Sequence, residues 1–183
     1  MDRWRHEAAP ATAVQIAAVV LLWVALFEIN HGLFSTFEVT AFANWVFLPA
    51  GLRVVAILLL GWKGVAGLFL GALWTNHPVV GVNLLESVAL SSASALAPYL
   101  GVQACRRLLR CPPDWNGLAA KHLLGLALVC AALSAQAHNL YFLLATGTHR
   151  SLVALLPMFT GDVLGTLLVF WMAHPWLKRL QPR

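Results

Sequence analysis

Apolar residues fill this chain in long runs, and the interruptions fall at charges, prolines and short basic clusters rather than in a two-residue alternation. A helix crosses the ~30 Å hydrocarbon core of a bilayer with roughly 20 apolar residues. Cutting at the interruptions therefore predicts spans at about 11–34, 42–62, 65–77, 79–104, 118–144 and 152–177. Glu38 separates the first two runs and Lys63 ends the second. The third run is short and closes on Asn76-His77-Pro78, where proline opposes helix continuation, so a partial or shallow crossing is predicted there. With no strand periodicity, heptad array, polar linker or tandem repeat, the expected fold is all-α: a polytopic transmembrane bundle of about six spans in a single integral membrane domain over residues 1–183.

Composition strengthens this picture. The chain is 60% hydrophobic and only 10% charged, against roughly 45–50% and ~25% in soluble domains. The N-terminal run is too long for a signal-peptide core and has no clear small-residue cleavage site, so it is expected to remain as an anchor. A net charge of +5 could suggest nucleic acid, but the basic residues sit in short clusters at the ends of apolar runs, so no nucleic-acid partner is expected. Arg3, Arg5, Lys63, Arg106, Arg107, Arg110, Lys121, Lys178, Arg179 and Arg183 fall on one side of the predicted spans and Arg150 alone on the other. The loaded side reads as cytoplasmic, which places both termini inside a bacterial inner membrane. Of the eight tryptophans, most lie near predicted span ends, as amphipathic rings prefer, and Trp23 is the exception. Cys105, Cys111 and Cys130 lack metal-ligand spacing and read as reduced structural thiols.

Ionisable groups in hydrocarbon cost roughly 2.5–3.5 kcal/mol on insertion scales, so each calls for a partner or a wet cavity. Glu28, Arg53, Glu86 and Asp162 stand out. Arg53 and Asp162 each lie deep in a predicted span, at a depth where they could meet. Two readings are open: a structural ion pair, which alone is no evidence of function, or an Arg53 that anchors an anionic ligand, beside a helix unwound at Pro49-Ala50-Gly51. Glu28, Asn30, His31, Asn76, His77, Asn83, Glu86, Gln136, His138 and Asn139 all fall in the outer halves of different spans. From this one-sided set, Arg53, Glu86, Asp162, Asn83, Glu28, His31 and His138 are the candidate ligand-binding residues of an outward-facing pocket.

Haem ligation would need facing histidines among His31, His77, His122 and His138, but His122 belongs to the opposite face and no Cys-x-x-Cys-His motif exists. No cofactor and no metal is expected. The chain carries no Gly-x-Ser-x-Gly, His-Glu-x-x-His or phosphate loop, so no enzymatic activity is expected either. A small transporter or channel would share the midplane charges and the broken helix, but it would usually show an internal repeat. Small residues recur at Gly67-Leu68-Phe69-Leu70-Gly71 and at Ser91-Ser92-Ala93-Ser94-Ala95, as on faces where membrane helices pack closely.

The segment Trp45-Val46-Phe47-Leu48-Pro49-Ala50-Gly51-Leu52, continuing through Leu58-Leu59-Leu60-Gly61-Trp62 to Gly67-Leu68-Phe69-Leu70-Gly71 and Asn76, resembles the early helices of the membrane-associated sensor domain family, MASE type one. Gly161-Asp162-Val163-Leu164-Gly165, followed by Leu167-Leu168 and Pro175, is similar to that family's final span, and Asn83-Leu84-Leu85-Glu86 through Arg106-Arg107 to its middle helix. Arg53 departs from the pattern, standing where the resemblance implies an apolar residue. The resemblance implies a non-enzymatic sensory or regulatory protein. Without an output domain before Arg183, it would act through the bilayer and either a membrane-protein partner or a homo-oligomer, and an accessory or scaffold subunit of a larger complex is the alternative.

Overall fold

The computed structural model describes residues 9–40, 43–80, 84–111, 118–146 and 148–179. Arg3, Arg5, Arg183, Trp4, Trp115 and Asn83 lie outside the described residues. Among the described residues six helices follow one another: α1 (Ala9–Phe34), α2 (Pro49–Leu60), α3 (Trp62–Val80), α4 (Leu84–Leu108), α5 (Ala120–Thr146) and α6 (Thr148–Arg179). Four of them, α1, α4, α5 and α6, are long and apolar enough to cross a membrane, as expected of a membrane-embedded protein. Each exposes large apolar side chains on its outer face, among them Leu21, Leu96, Leu128 and Leu164, and buries the opposite side against its neighbours. In α4 the buried seam repeats at helical spacing through Ser87, Leu90, Ser91, Ser94, Pro98, Gly101 and Cys105.

The 42–62 run departs from the prediction of one continuous helix. A 3-10 turn at Ser35–Phe37 leads into strand β1 (Glu38–Thr40), which pairs antiparallel with β2 (Ala43–Asn44). Strands of three and two residues are too short to leave a periodic signal in the sequence. The chain then continues without helical structure to Leu48, and only Pro49–Leu60 is helical. Pro49 does not unwind a helix; it opens one, at a position where its missing N–H costs nothing. At ~1.5 Å per residue, the twelve residues of α2 are too few to cross the hydrocarbon as a helix.

The predicted short third span is instead the 19-residue α3. Gly61, at φ +56°, is the single residue between α2 and α3, so Trp62 and Lys63 begin the new helix rather than ending the old one. That φ suits glycine and strains any residue with a Cβ. At the far end α3 runs past Pro78 to Val80, because a proline in the last turn forfeits one helical hydrogen bond without ending the helix.

Neighbours in sequence pack as antiparallel pairs: α3 on α4, α4 on α5 and α5 on α6. α1 lies parallel to α3, with Val19 over Gly67 and Trp23 over Gly71, so the predicted close-packing glycine pair does receive a helix. α2 stands in the middle and touches all five other helices. Nine of its twelve residues are buried for that reason, Arg53 among them. The three cysteines are free and buried.

Two glycines on α6 let the non-helical segment approach. A Cβ at Gly161 would collide with the Asn44 carbonyl oxygen, and one at Gly165 with that of Phe47. The Phe47 N–H donates to the Gly161 carbonyl at 3.1 Å, and the Leu48 N–H to Asn30 Oδ1 of α1 at 2.8 Å. Irregular backbone at membrane depth is tolerated where protein supplies its hydrogen bonds, and here α6 and α1 do so.

Candidate functional site

Arg53 lies on the first turn and a half of α2, and at 5% exposure it is among the most buried polar residues of the bundle. Its Nη1 donates to Asp162 Oδ2 of α6 at 3.0 Å and to Ser134 Oγ of α5 at 2.9 Å. Ser134 and Asp162 thus share one guanidinium nitrogen, which ties α5 and α6 to α2 in a three-residue cluster. The guanidinium carbon sits 5.3 Å from the Trp23 ring centroid and 5.0 Å from that of Phe47. Those two rings meet edge to face, 6.3 Å apart at 74°. Arg53 is thus neutralised on one edge and covered by aromatic rings, a setting in which a cation–π contact contributes most because water is excluded. Its Nε is buried without an acceptor.

Trp23 is positioned as firmly as the arginine. Its ring fits where Gly71 leaves room, and its Nε1 donates to Thr75 Oγ1 one turn further along α3 at 3.0 Å. An indole in mid-helix needs such an acceptor when buried. The one tryptophan outside the interfacial pattern therefore belongs to the arginine site, and that irregularity was the signal for it.

Above this cluster, toward the β1–β2 end, a cavity opens that is lined by Trp23, Phe27, Asn30, His31, Glu38, Asn44, Phe47, Arg53, Asn76, Leu90, Ser94, His138, Met158 and Asp162. Its free space is about 70 Å³. At ~10–15 Å³ of such space per water, that is room for several waters or one small organic molecule. The walls are ordered by hydrogen bonds. His138 Nδ1 contacts the Ser134 carbonyl at 2.8 Å, which makes Nδ1 the donor, and a neutral ring then presents Nε2 as acceptor to the Ser94 hydroxyl at 3.1 Å. Asn76 donates to Ser91 Oγ at 3.1 Å, and Asn44 to the Phe34 carbonyl at 3.0 Å. His31 and Glu38 are exposed at the mouth.

Of the residues singled out in the sequence, Arg53, Asp162, His138 and His31 converge on this cavity. Glu28 lies exposed on α1, and Glu86 is half-buried in the first turn of α4; neither lines the cavity. Helical phase separates them, since membership of the outer half of a span says nothing about which way a residue faces. Asn83 lies outside the described residues. Sequence reasoning did not single out Phe47, Glu38, Asn44, Ser94 or Ser134 for the site. The Ser91–Ala95 run was legible only as a packing face, and the hairpin residues reach the site through the non-helical path of 43–48. His122 is far from the site, its Nδ1 accepting from the Ala119 N–H at 3.1 Å.

Past Arg53 toward the opposite end, the core among the described residues is Ile57, Leu68, Val102 and Leu126, all fully buried. A small pocket continues past the arginine, lined by Ser134, Asp162 and Thr166 beside Ala50, Pro98 and Cys130, and beyond it the core is apolar. No protein-family model, no curated protein and no solved structure matches this chain.

Proposed function

We propose that this chain is a non-enzymatic membrane-embedded binding protein of the sensory or regulatory kind, which admits a small polar ligand to the cavity above Arg53. One observation carries the reading: a cavity open at one end, floored by a neutralised and rigidly held arginine, with neutral hydrogen-bonding groups on four different helices around it. Rigid walls of this kind favour recognition, because little side-chain freedom is left to lose on binding. The Ser94 hydroxyl does meet His138 Nε2, but the imidazole is held by the Ser134 carbonyl and not by a carboxylate, an arrangement that orders the wall and suits binding better than turnover. The likeness of 45–76 and 161–175 to membrane-associated sensor domains points the same way, and with it a partner in the membrane that receives the signal. The proposed setting is a bacterial inner membrane with both termini cytoplasmic and the hairpin facing out. The transporter alternative needs a polar route beyond Arg53, and the apolar core at Ile57, Leu68, Val102 and Leu126 disfavours one.

The test is a thermal-shift screen of the protein in lipid nanodiscs against small carboxylates, amino acids and neutral polar metabolites. At least one compound class is expected to raise the melting temperature of the wild type, and the shift is expected to shrink in His31→Ala and Glu38→Gln. Both positions are exposed at the mouth, so folding is left intact. A screen without hits, or hits indifferent to both substitutions, overturns the reading.

A further inference from the structure

The outer face of α5 carries a polar group with no use inside the bundle. Gln136 lies near the middle of α5, within a stretch apolar enough to span a membrane, and its side chain is exposed. It hydrogen-bonds none of the described residues, in contrast to Ser134 and His138 two positions either way, which point inward to the arginine site. A primary amide facing hydrocarbon without partners loses several kcal/mol relative to water. The residues one and two turns away on the same face are Val129, Ala132, Leu140 and Leu143, a spacing of three and four that makes a continuous seam. Beside it, Ala132, Ala135 and Gln136 of α5 and Leu155, Leu156 and Phe159 of α6 line a shallow groove of about 330 Å³.

We infer that this seam is a two-fold interface with a second copy of the same chain, in which the two Gln136 side chains hydrogen-bond each other across the axis. Three features select a second copy. A glutamine amide has one acceptor and two donors, so two such groups related by a two-fold satisfy each other reciprocally. The groove offers no charge, so nothing in it selects an acidic or basic helix instead. Ala132, one turn from Gln136, leaves the space that close approach of two membrane helices needs, while the exposed Leu140 and the ridge at Leu155 and Leu156 supply the packing. One polar residue in an apolar seam also sets register, as a buried asparagine does in a coiled coil. The interface lies outside the cavity and does not depend on the proposed ligand.

The test uses the full chain in nanodiscs and in mild detergent. Single cysteines replace Gln136, Leu140 or, as a control on another face, the exposed Leu100; the native thiols are buried and serve as the common background. Oxidation is expected to give covalent dimers for Gln136→Cys and Leu140→Cys and none for Leu100→Cys. In the unmodified chain, Gln136→Leu is expected to weaken dimerisation about three- to fifteen-fold, whereas Gln136→Asn, which keeps the amide, retains most of it. The thermal stability of the Gln136→Leu protomer should stay near wild type, which separates lost association from lost folding. A monomer at all lipid dilutions, cross-linking through Leu100 as readily as through Gln136, or dimers indifferent to Gln136→Leu would each overturn the inference. So would capture of a different protein at Gln136→Cys in place of a second copy.

Discussion

Arg53 occupies an environment in which its charge is tolerable deep in an apolar bundle: a carboxylate on one edge and two neighbouring aromatic rings, set edge to face, against the guanidinium. A buried ion pair is weak evidence for stability, because desolvation offsets most of the Coulombic gain, but losing one partner is costly because the other is stranded. Asp162→Asn should therefore lower stability by about 3–5 kcal/mol, and the Arg53→Leu, Asp162→Leu double variant should lose much less than the two single losses combined. Equilibrium unfolding in detergent checks both, and strict additivity would mean that the two charges are not energetically coupled. The pair itself was legible in the sequence from two charges at matching depth in different spans. Its aromatic cover was half legible, since Trp23 broke the interfacial pattern, while Phe47 reaches the guanidinium only because its segment is not helical.

At the scale of elements, hydrophobic run length located the four long helices to within a few residues, since any stretch of that apolarity must hide its backbone polar groups in a helix. Run length failed at 42–62 because it counts apolar side chains, and there the backbone donors are satisfied by α6 and α1 instead of by the next turn of a helix. The Gly161-x-x-x-Gly165 spacing made that possible, and the sequence showed it only as a fragment of a family likeness. Gly161→Ala should destabilise the protein by about 1–3 kcal/mol, as overpacking typically does, because its Cβ meets a carbonyl oxygen and not a movable side chain. Gly32→Ala, on the open face of α1, should be neutral or stabilising by up to about 1 kcal/mol. Melting temperatures of the two variants in the same detergent test the contrast, and equal effects would remove the role given to the α6 groove.

For the whole interior of the described residues, polarity is lopsided: the β1–β2 end holds the cavity and its amides, while the other end is filled by aliphatic side chains such as Ile57, Leu68, Val102 and Leu126. That asymmetry, together with the basic clusters, underlies the proposed orientation. Reporter fusions at the two termini should both score cytoplasmic, and a fusion within the β1–β2 hairpin should score on the far side; a split result between the termini would reverse or break the six-crossing reading. The central position of α2 also has a consequence for how the protein is made. Four helices, α2 to α5, follow residues 44–48 before α6, so Phe47 has no Gly161 carbonyl to meet until the last helix has been synthesised. The short α2, which every other helix touches, therefore cannot complete its packing, nor Arg53 pair with Asp162, until the C-terminal helix has been made.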